Sequence, residues 1–279
     1  MDDRPVYVQG FGGDTSTAIV AAARQGAQTG YLTALGNDMF GDAIRALWVR
    51  EGVDCAHVTK RDRAPTGVCF IDPDPSGRSF TYARTGSAAS TFEAAELPRD
   101  YIAGARILHL SGITLAISEK MRQTAFSAMG IAKASGTLVS YDLNHRPALW
   151  DTSHALAVTE TMMPQLDIVF PSEDEAQLLF GDTTPDQTAN RFLGAGASIV
   201  VVKRAERGAY LATRDLRQEI PPAPSHPVDA SGAGDSFAGA FLAWYLETDD
   251  PYRAACEAAK VAAATVSGLG AIEPIPRRA

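Results

Sequence analysis

The stretch Asp229-Ala230-Ser231-Gly232-Ala233-Gly234-Asp235-Ser236-Phe237 sets two glycines and an aspartate at the start of a helical pattern. Phe237, Ala240, Phe241 and Trp244 repeat at helical spacing after it, and a proline-rich loop from Pro221 to Pro227 precedes it. Gly232 and Gly234 therefore fall at a helix N-terminus, where backbone N–H groups lack intrahelical acceptors and the dipole favours negative charge. Glycines allow a phosphate to approach the backbone closely. Asp235, in the first turn, can accept a proton from a substrate hydroxyl as a phosphoryl group is transferred. The plainer alternative is a tight turn followed by an ordinary, dipole-stabilised helix-start aspartate. A dinucleotide-binding GxGxxG is disfavoured because Phe237 occupies the third glycine position, and no GxxxxGK[ST] loop occurs.

Such a turn needs a scaffold that delivers it to a ligand. Residues 107–110, 137–142, 167–171 and 199–203 read as buried strands rich in Val, Ile and Leu. Between them, 118–134, 151–163 and 172–180 read as helices. Strand–helix–strand repetition predicts a doubly wound, mainly parallel α/β sheet with helices on both faces and ligands at the carboxyl ends of the strands. Residues 6–8 and 68–84 carry strand-like residues outside this rhythm, with a turn at Asp72-Pro73-Asp74-Pro75-Ser76-Gly77 and helices at 15–25 and 39–51. They predict a small second sheet.

Composition narrows the partners. The 279 residues are 46% apolar, with 25 Lys and Arg against 33 Asp and Glu and a formal charge of −8. That balance argues against a nucleic-acid surface. Three widely spaced cysteines, Cys55, Cys69 and Cys256, form no CxxC pair and suggest neither a zinc site nor a disulfide framework. The apolar runs fall far short of a membrane span, and the first residues lack a secretory pattern. The expectation is a cytoplasmic protein with small-molecule partners, no nucleic acid and no membrane.

The quoted residues resemble the PfkB/ribokinase carbohydrate kinases. Asp229–Asp235 matches the DxxGAGD signature of that family. Gly12-Gly13-Asp14, followed by the Ala-rich stretch to Gly26, resembles its N-terminal glycine motif, and Leu35-Gly36-Asn37-Asp38-Met39-Phe40-Gly41 resembles its G-x-D-x-x-G element. These occur in family order over nearly the whole chain, together with Glu173-Asp174-Glu175 and Val202-Lys203. The resemblance implies a single ribokinase-like domain over 1–279, with lid strands from about 4–11 and 66–86. It implies ATP and Mg2+ as cofactors and a homo-oligomer. It also implies roles: Asp235 as catalytic base, the Gly232, Ala233 and Gly234 amides as an anion hole, and Glu175 near magnesium through water, with Ser172 standing where Asn is usual. Lys203 and Gly208 lie in the segment that lines ATP phosphates, where Ala205 replaces a frequent glycine. Asn144 and Arg146 join the nucleotide side.

Among subfamilies the chain is most similar to 2-keto-3-deoxygluconate kinases, through Phe80-Thr81-Tyr82-Ala83-Arg84, Leu108-His109-Leu110-Ser111-Gly112-Ile113 and Asp142-Leu143-Asn144-His145-Arg146. A sugar acid carries a carboxylate, which guanidinium forks bind in bidentate fashion. Arg84 and Arg146 are expected to converge on it, with Tyr82 covering the ligand and Gly12, Gly13 and Asp14 lining the sugar. His109, Trp48 and Trp150 read as packing residues. Two departures stand out. The family's first core strand is lacking, which would expose neighbouring strands, and Thr15-Ser16-Thr17-Ala18 reads as though the family's sugar-contacting Asn were deleted. A kinase for fructose or ribose, or a catalytically impaired ligand-binding homologue, are the competing readings.

Overall fold

A computed structural model describes residues 7–74 and 77–278. The central sheet has six strands: β5 (Ile107–Ser111), β6 (Leu138–Asp142), β7 (Ile168–Phe170), β8 (Ile199–Lys203), β9 (Ala209–Thr213) and β10 (Arg217–Ile220), in the order β10-β9-β8-β7-β6-β5. The four strands from β5 to β8 are parallel, while β9 and β10 run antiparallel on one edge. Two smaller sheets accompany it. One pairs β1 (Thr33–Gly36) with β2 (Val58–Arg61) in parallel, and the other is the antiparallel hairpin of β3 (Val68–Asp74) and β4 (Gly77–Ala83).

Alternating side chains of the central strands enter two separate cores, as a sheet covered on both faces requires. On β8, Val200 and Val202 join Met129 and Ala132 of α5 (Glu119–Ser135), Val158 and Met162 of α6 (Thr152–Met162), Leu179 of α7 (Glu173–Phe180) and Phe192 of α8 (Pro185–Ala195). Ile199 and Val201 face the other way, against Ala21 of α1 (Asp14–Arg24), Phe237 and Phe241 of α9 (Ala233–Thr248) and Ala254 and Ala258 of α10 (Pro251–Val266). Trp48 of α2 (Met39–Arg50), Val20 and Leu35 form a third cluster. The short helices α3 (Arg99–Ala103) and α4 (Gly112–Ala116) flank β5. Gly239 of α9 lets that helix press on α1: a Cβ there would lie 1.9 Å from the Ala18 carbonyl oxygen.

The hairpin pairs Asp74 with Gly77, so both strands run further into the proline-rich turn than the residue types suggest, and the turn tip lies outside the described residues. The strand expected at 4–11 is not present where it can be seen. Residues 7–11 carry no strand and residues 4–6 lie outside the described residues, although the Tyr7 ring packs edge-on against Phe70 of β3 at 5.4 Å. β5 ends the central sheet among the described residues, and its Ile107, Leu108 and His109 are only half-buried. Helix α1 runs unbroken from Asp14 to Arg24, and Thr17 is fully buried in its first turns, so no irregularity marks the position read as a deletion.

Candidate active site

The carboxyl ends of the parallel strands meet the start of α9. β6 ends on Asp142, and two residues later Asn144 sits at φ 39°, a left-handed conformation that Asn tolerates. This bend carries the Asn144 amide to α9, where Nδ2 donates to Asp235 Oδ1 at 2.9 Å. Gly232 caps α9 at φ 73°, and a Cβ there would come within 2.6 Å of the Ala271 carbonyl oxygen, so only glycine fits. Gly12 backs onto the same Ala271, whose Cβ a Cβ on Gly12 would meet at 3.5 Å, and Gly13 caps α1 at φ 101°. The two glycine turns share one buttress. Asp229 fastens it, accepting from the amides of Ser231 at 2.9 Å and Gly270 at 3.0 Å.

Asp235 is the most perturbed carboxyl of the group. Burial, reinforced by the nearby carboxylates of Asp142 and Asp14, raises its pKa to about 7 against the pull of Lys203 and Arg146. Asp14 Oδ2 and Thr17 Oγ1 are buried without a hydrogen-bond partner among the described residues. Thr15 hydrogen-bonds the Tyr31 hydroxyl at 2.6 Å, and Tyr31 senses Asp14, Arg84 and Asp235 together. Tyr82 and Arg84 lie two residues apart and are both half-buried, between the exposed Thr81, Ala83 and Thr85. The Tyr82 hydroxyl is raised by burial and lies in the field of both Arg146 and Arg84. Arg84, Arg146, Tyr82, Asp14 and Asp235 are thus brought together.

Arg146 is not free to act as a simple carboxylate receptor. Its Nη1 donates to Glu175 Oε1 at 3.1 Å and to the His145 carbonyl at 3.0 Å, and it hydrogen-bonds Tyr82. Glu175 is in turn half of a capping box at the start of α7. Its Oε2 accepts from the Ser172 amide at 3.1 Å, while the Ser172 hydroxyl accepts from the Glu175 amide at 3.2 Å. Both Glu175 oxygens therefore have protein donors. No group of three or more His, Cys, Asp or Glu able to hold a metal occurs among the described residues.

Lys203 ends β8 and reaches Asp142 Oδ2 at 2.5 Å, crossing the end of β7. A Cβ on Gly234 would lie 3.2 Å from its Nζ, so the ammonium rests against the glycine turn. Burial raises the Asp142 pKa to about 6, with the Lys203 ammonium opposing and favouring the carboxylate. Asp142 is a site residue that motif reading did not assign; the signal was a charge closing the apolar strand Leu138–Asp142. Beyond Lys203, Ala205 sits at φ 49°, where the frequent glycine would be unstrained. Gly208, at φ 83°, leaves no room for a Cβ, which would lie 2.1 Å from the Ile220 carbonyl. His109 behaves as a core residue: its Nδ1 is 3.0 Å from Ser140 Oγ, and burial lowers its pKa to about 4. Asp38 caps α2 and also binds the Thr66 amide at 2.8 Å, so the G-x-D-x-x-G element here anchors the base of the hairpin.

A helix start open to an anion, beside a desolvated carboxyl at the carboxyl ends of a doubly wound sheet, is what transfer of a phosphoryl group to an alcohol requires. A pfkB family carbohydrate kinase pattern matches residues 4–278. The 2-dehydro-3-deoxygluconokinase of Bacillus subtilis is 33% identical over 276 residues, 98% of this chain and 85% of the relative. Fructokinase-1 of Oryza sativa is 33% identical over 245 residues, covering 87% and 76%. The crystal structure of a ribokinase II candidate from E. coli, in complex with ATP and Mg2+, superposes with a TM-score of 0.91 at 28% identity, covering 99% and 90%. The chain belongs to the pfkB family and is a carbohydrate kinase. No helix among the described residues is long and apolar enough to cross a membrane.

Proposed function

We propose that this kinase transfers the γ-phosphoryl group of ATP to a hydroxyl of a sugar acid, 2-keto-3-deoxygluconate, giving its 6-phosphate. The observation that carries the reading is Arg84. Its Nε is buried without a hydrogen-bond partner among the described residues, and its charge reaches the same Tyr31 that senses Asp14 and Asp235. A guanidinium whose buried Nε lacks an acceptor gains little from a neutral sugar but pairs in bidentate fashion with a carboxylate. Arg146, engaged by Glu175, orients Tyr82 over the ligand, so the carboxylate falls to Arg84. The B. subtilis relative carries the corresponding activity in its name. The rice fructokinase keeps a neutral sugar as the second reading.

In this reading the sugar hydroxyl gives its proton to Asp235 as its oxygen bonds to the γ-phosphorus. The bond to the bridging oxygen breaks with its electron pair leaving on ADP. Asn144 fixes Asp235, and the pocket made by Gly12, Gly13 and Asp14 presents the hydroxyl. The Gly232, Ala233 and Gly234 turn and Lys203 face the charge on the transferred group. Ser172 and Gly208 shape the nucleotide side. The donor set fits a Mg2+ ion held mainly by phosphates and water, since Glu175 is already hydrogen-bonded at both oxygens and can reach it through water. When bound, that ion neutralises phosphate charge.

Arg84→Ala tests the reading. A charge-assisted hydrogen bond contributes roughly 1.5–3 kcal/mol, so KM for 2-keto-3-deoxygluconate is expected to rise about 10- to 100-fold, with KM for fructose little changed. Equal effects on the two sugars would remove the carboxylate role.

A further inference from the structure

Resting on that reading of Asp235 and Lys203, we propose that Asp142 is a positioning residue for phosphoryl transfer, holding the Lys203 ammonium against the Gly232–Gly234 turn and away from Asp235. The geometry is a three-body arrangement. Asp142 closes β6 and Lys203 closes β8, with β7 between them, and their side chains meet across its end at 2.5 Å. Asp142 is 1% exposed and its Oδ1 has no partner among the described residues, so its ionised form depends on the lysine. The ammonium is also close to Gly234, one residue before Asp235.

Three carboxylates, Asp142, Glu175 and Asp235, each favour the charged form of Lys203, and Asp142 and Asp235 compete to hold it beside the glycine turn. If Lys203 were to pair with Asp235, it would lower the basicity of that carboxylate and occupy an oxygen the substrate proton needs. It would also leave the face of the turn where negative charge builds up. Asp142 prevents this by giving the ammonium a nearer partner, so that Asp235 Oδ1 accepts from Asn144 instead. The charged groups around Asp235 are Asp14 on α1, Asp142 on β6, Lys203 on β8 and Arg146 after β6. Those around Asp142 are Lys203, Glu175 and Arg146.

The test is a double-mutant cycle with Asp142→Asn and Lys203→Met, read as kcat, KM, the pH dependence of kcat and the dissociation constant of MgATP. Asp142→Asn keeps the shape of the side chain. It is expected to lower kcat at least tenfold with the sugar KM unchanged, and to move the acid limb of kcat to lower pH as Lys203 turns to Asp235. The double variant should equal Lys203→Met within twofold. Loss of the Asp142 charge by itself also lowers the Asp235 pKa, so a merely structural aspartate would move the limb equally in the wild-type and Lys203→Met backgrounds, whereas repositioning of Lys203 requires a larger shift when the lysine is present. An unmoved limb with kcat within twofold of wild type overturns the proposal, as does a double variant tenfold or more below Lys203→Met. Should Asp142→Asn not fold, that last comparison still decides. Should wild type phosphorylate no sugar, the proposed function falls, and the Asp142–Lys203 link is read from MgATP alone. Equal weakening in both single variants with no further loss in the double supports it, and unchanged affinity in Asp142→Asn overturns it.

Discussion

Asp235 carries opposite consequences for activity and for stability. Its pKa in the folded protein is raised to about 7, first by burial and then by Asp142 and Asp14, whereas an unfolded aspartate titrates near 3.8. Between these values the folded chain holds a proton that the unfolded chain has released. Stability from this group is therefore present at low pH and lost as pH rises toward 7. Asp235→Asn is expected to melt above wild type at pH 8, with the difference shrinking at pH 5, while turnover falls by a factor of about 10² or more. In wild type, kcat/KM should decline as pH drops below about 7. A variant that melts with wild type at both pH values would contradict the desolvated carboxyl. At this scale the sequence made Asp235 and its glycines legible, because a GxGD at a helix start has few physical uses. Asp142 was not legible: its importance lies in Lys203, 61 positions away in the chain, and only the sheet order brings them together.

The parallel strands and their covering helices were visible as apolar runs alternating with helical periods, and β8 matches its expected span residue for residue. The edge elements were harder to read. β2 and β10 are four residues long and largely half-exposed, so no apolar run announces them. The segment 7–11 has strand-like residue types but no strand, which is the common failing of β-propensity away from a pairing partner. The link between β8 and β9 holds a local cost. Ala205 at φ 49° is held by Gly208 N–H donating to its carbonyl at 3.0 Å and by Arg204 N–H donating to Gly208 at 2.8 Å. Left-handed backbone costs a residue with a Cβ roughly 1–2 kcal/mol, part of which glycine returns as unfolded-state entropy. Ala205→Gly should raise the unfolding free energy by about 1 kcal/mol in urea. A loss of stability would mean that the turn is not strained.

Across the whole molecule, the C-terminal segment ties the two halves of the site. Arg24 of α1 donates to the carbonyls of Ile272 and Ile275 at 2.7 Å and pairs with Glu51 at 2.9 Å, and Arg277 joins the same carboxylate at 2.8 Å. The loop just before it supplies Ala271, against which Gly12 and Gly232 both pack. The sugar-side turn of α1 and the phosphate-side turn of α9 are thus set by one buttress, which explains why motifs more than 200 residues apart act as a unit. No local pattern reveals that buttress, since Ala271 is chemically bland. The central claim joins this scaffold to a sugar acid through Arg84. It is tested most directly by coupled ATP consumption with Mg2+ on 2-keto-3-deoxygluconate, gluconate, fructose and ribose. The account predicts the highest kcat/KM for the keto-deoxy acid; preference for fructose or ribose would contradict it.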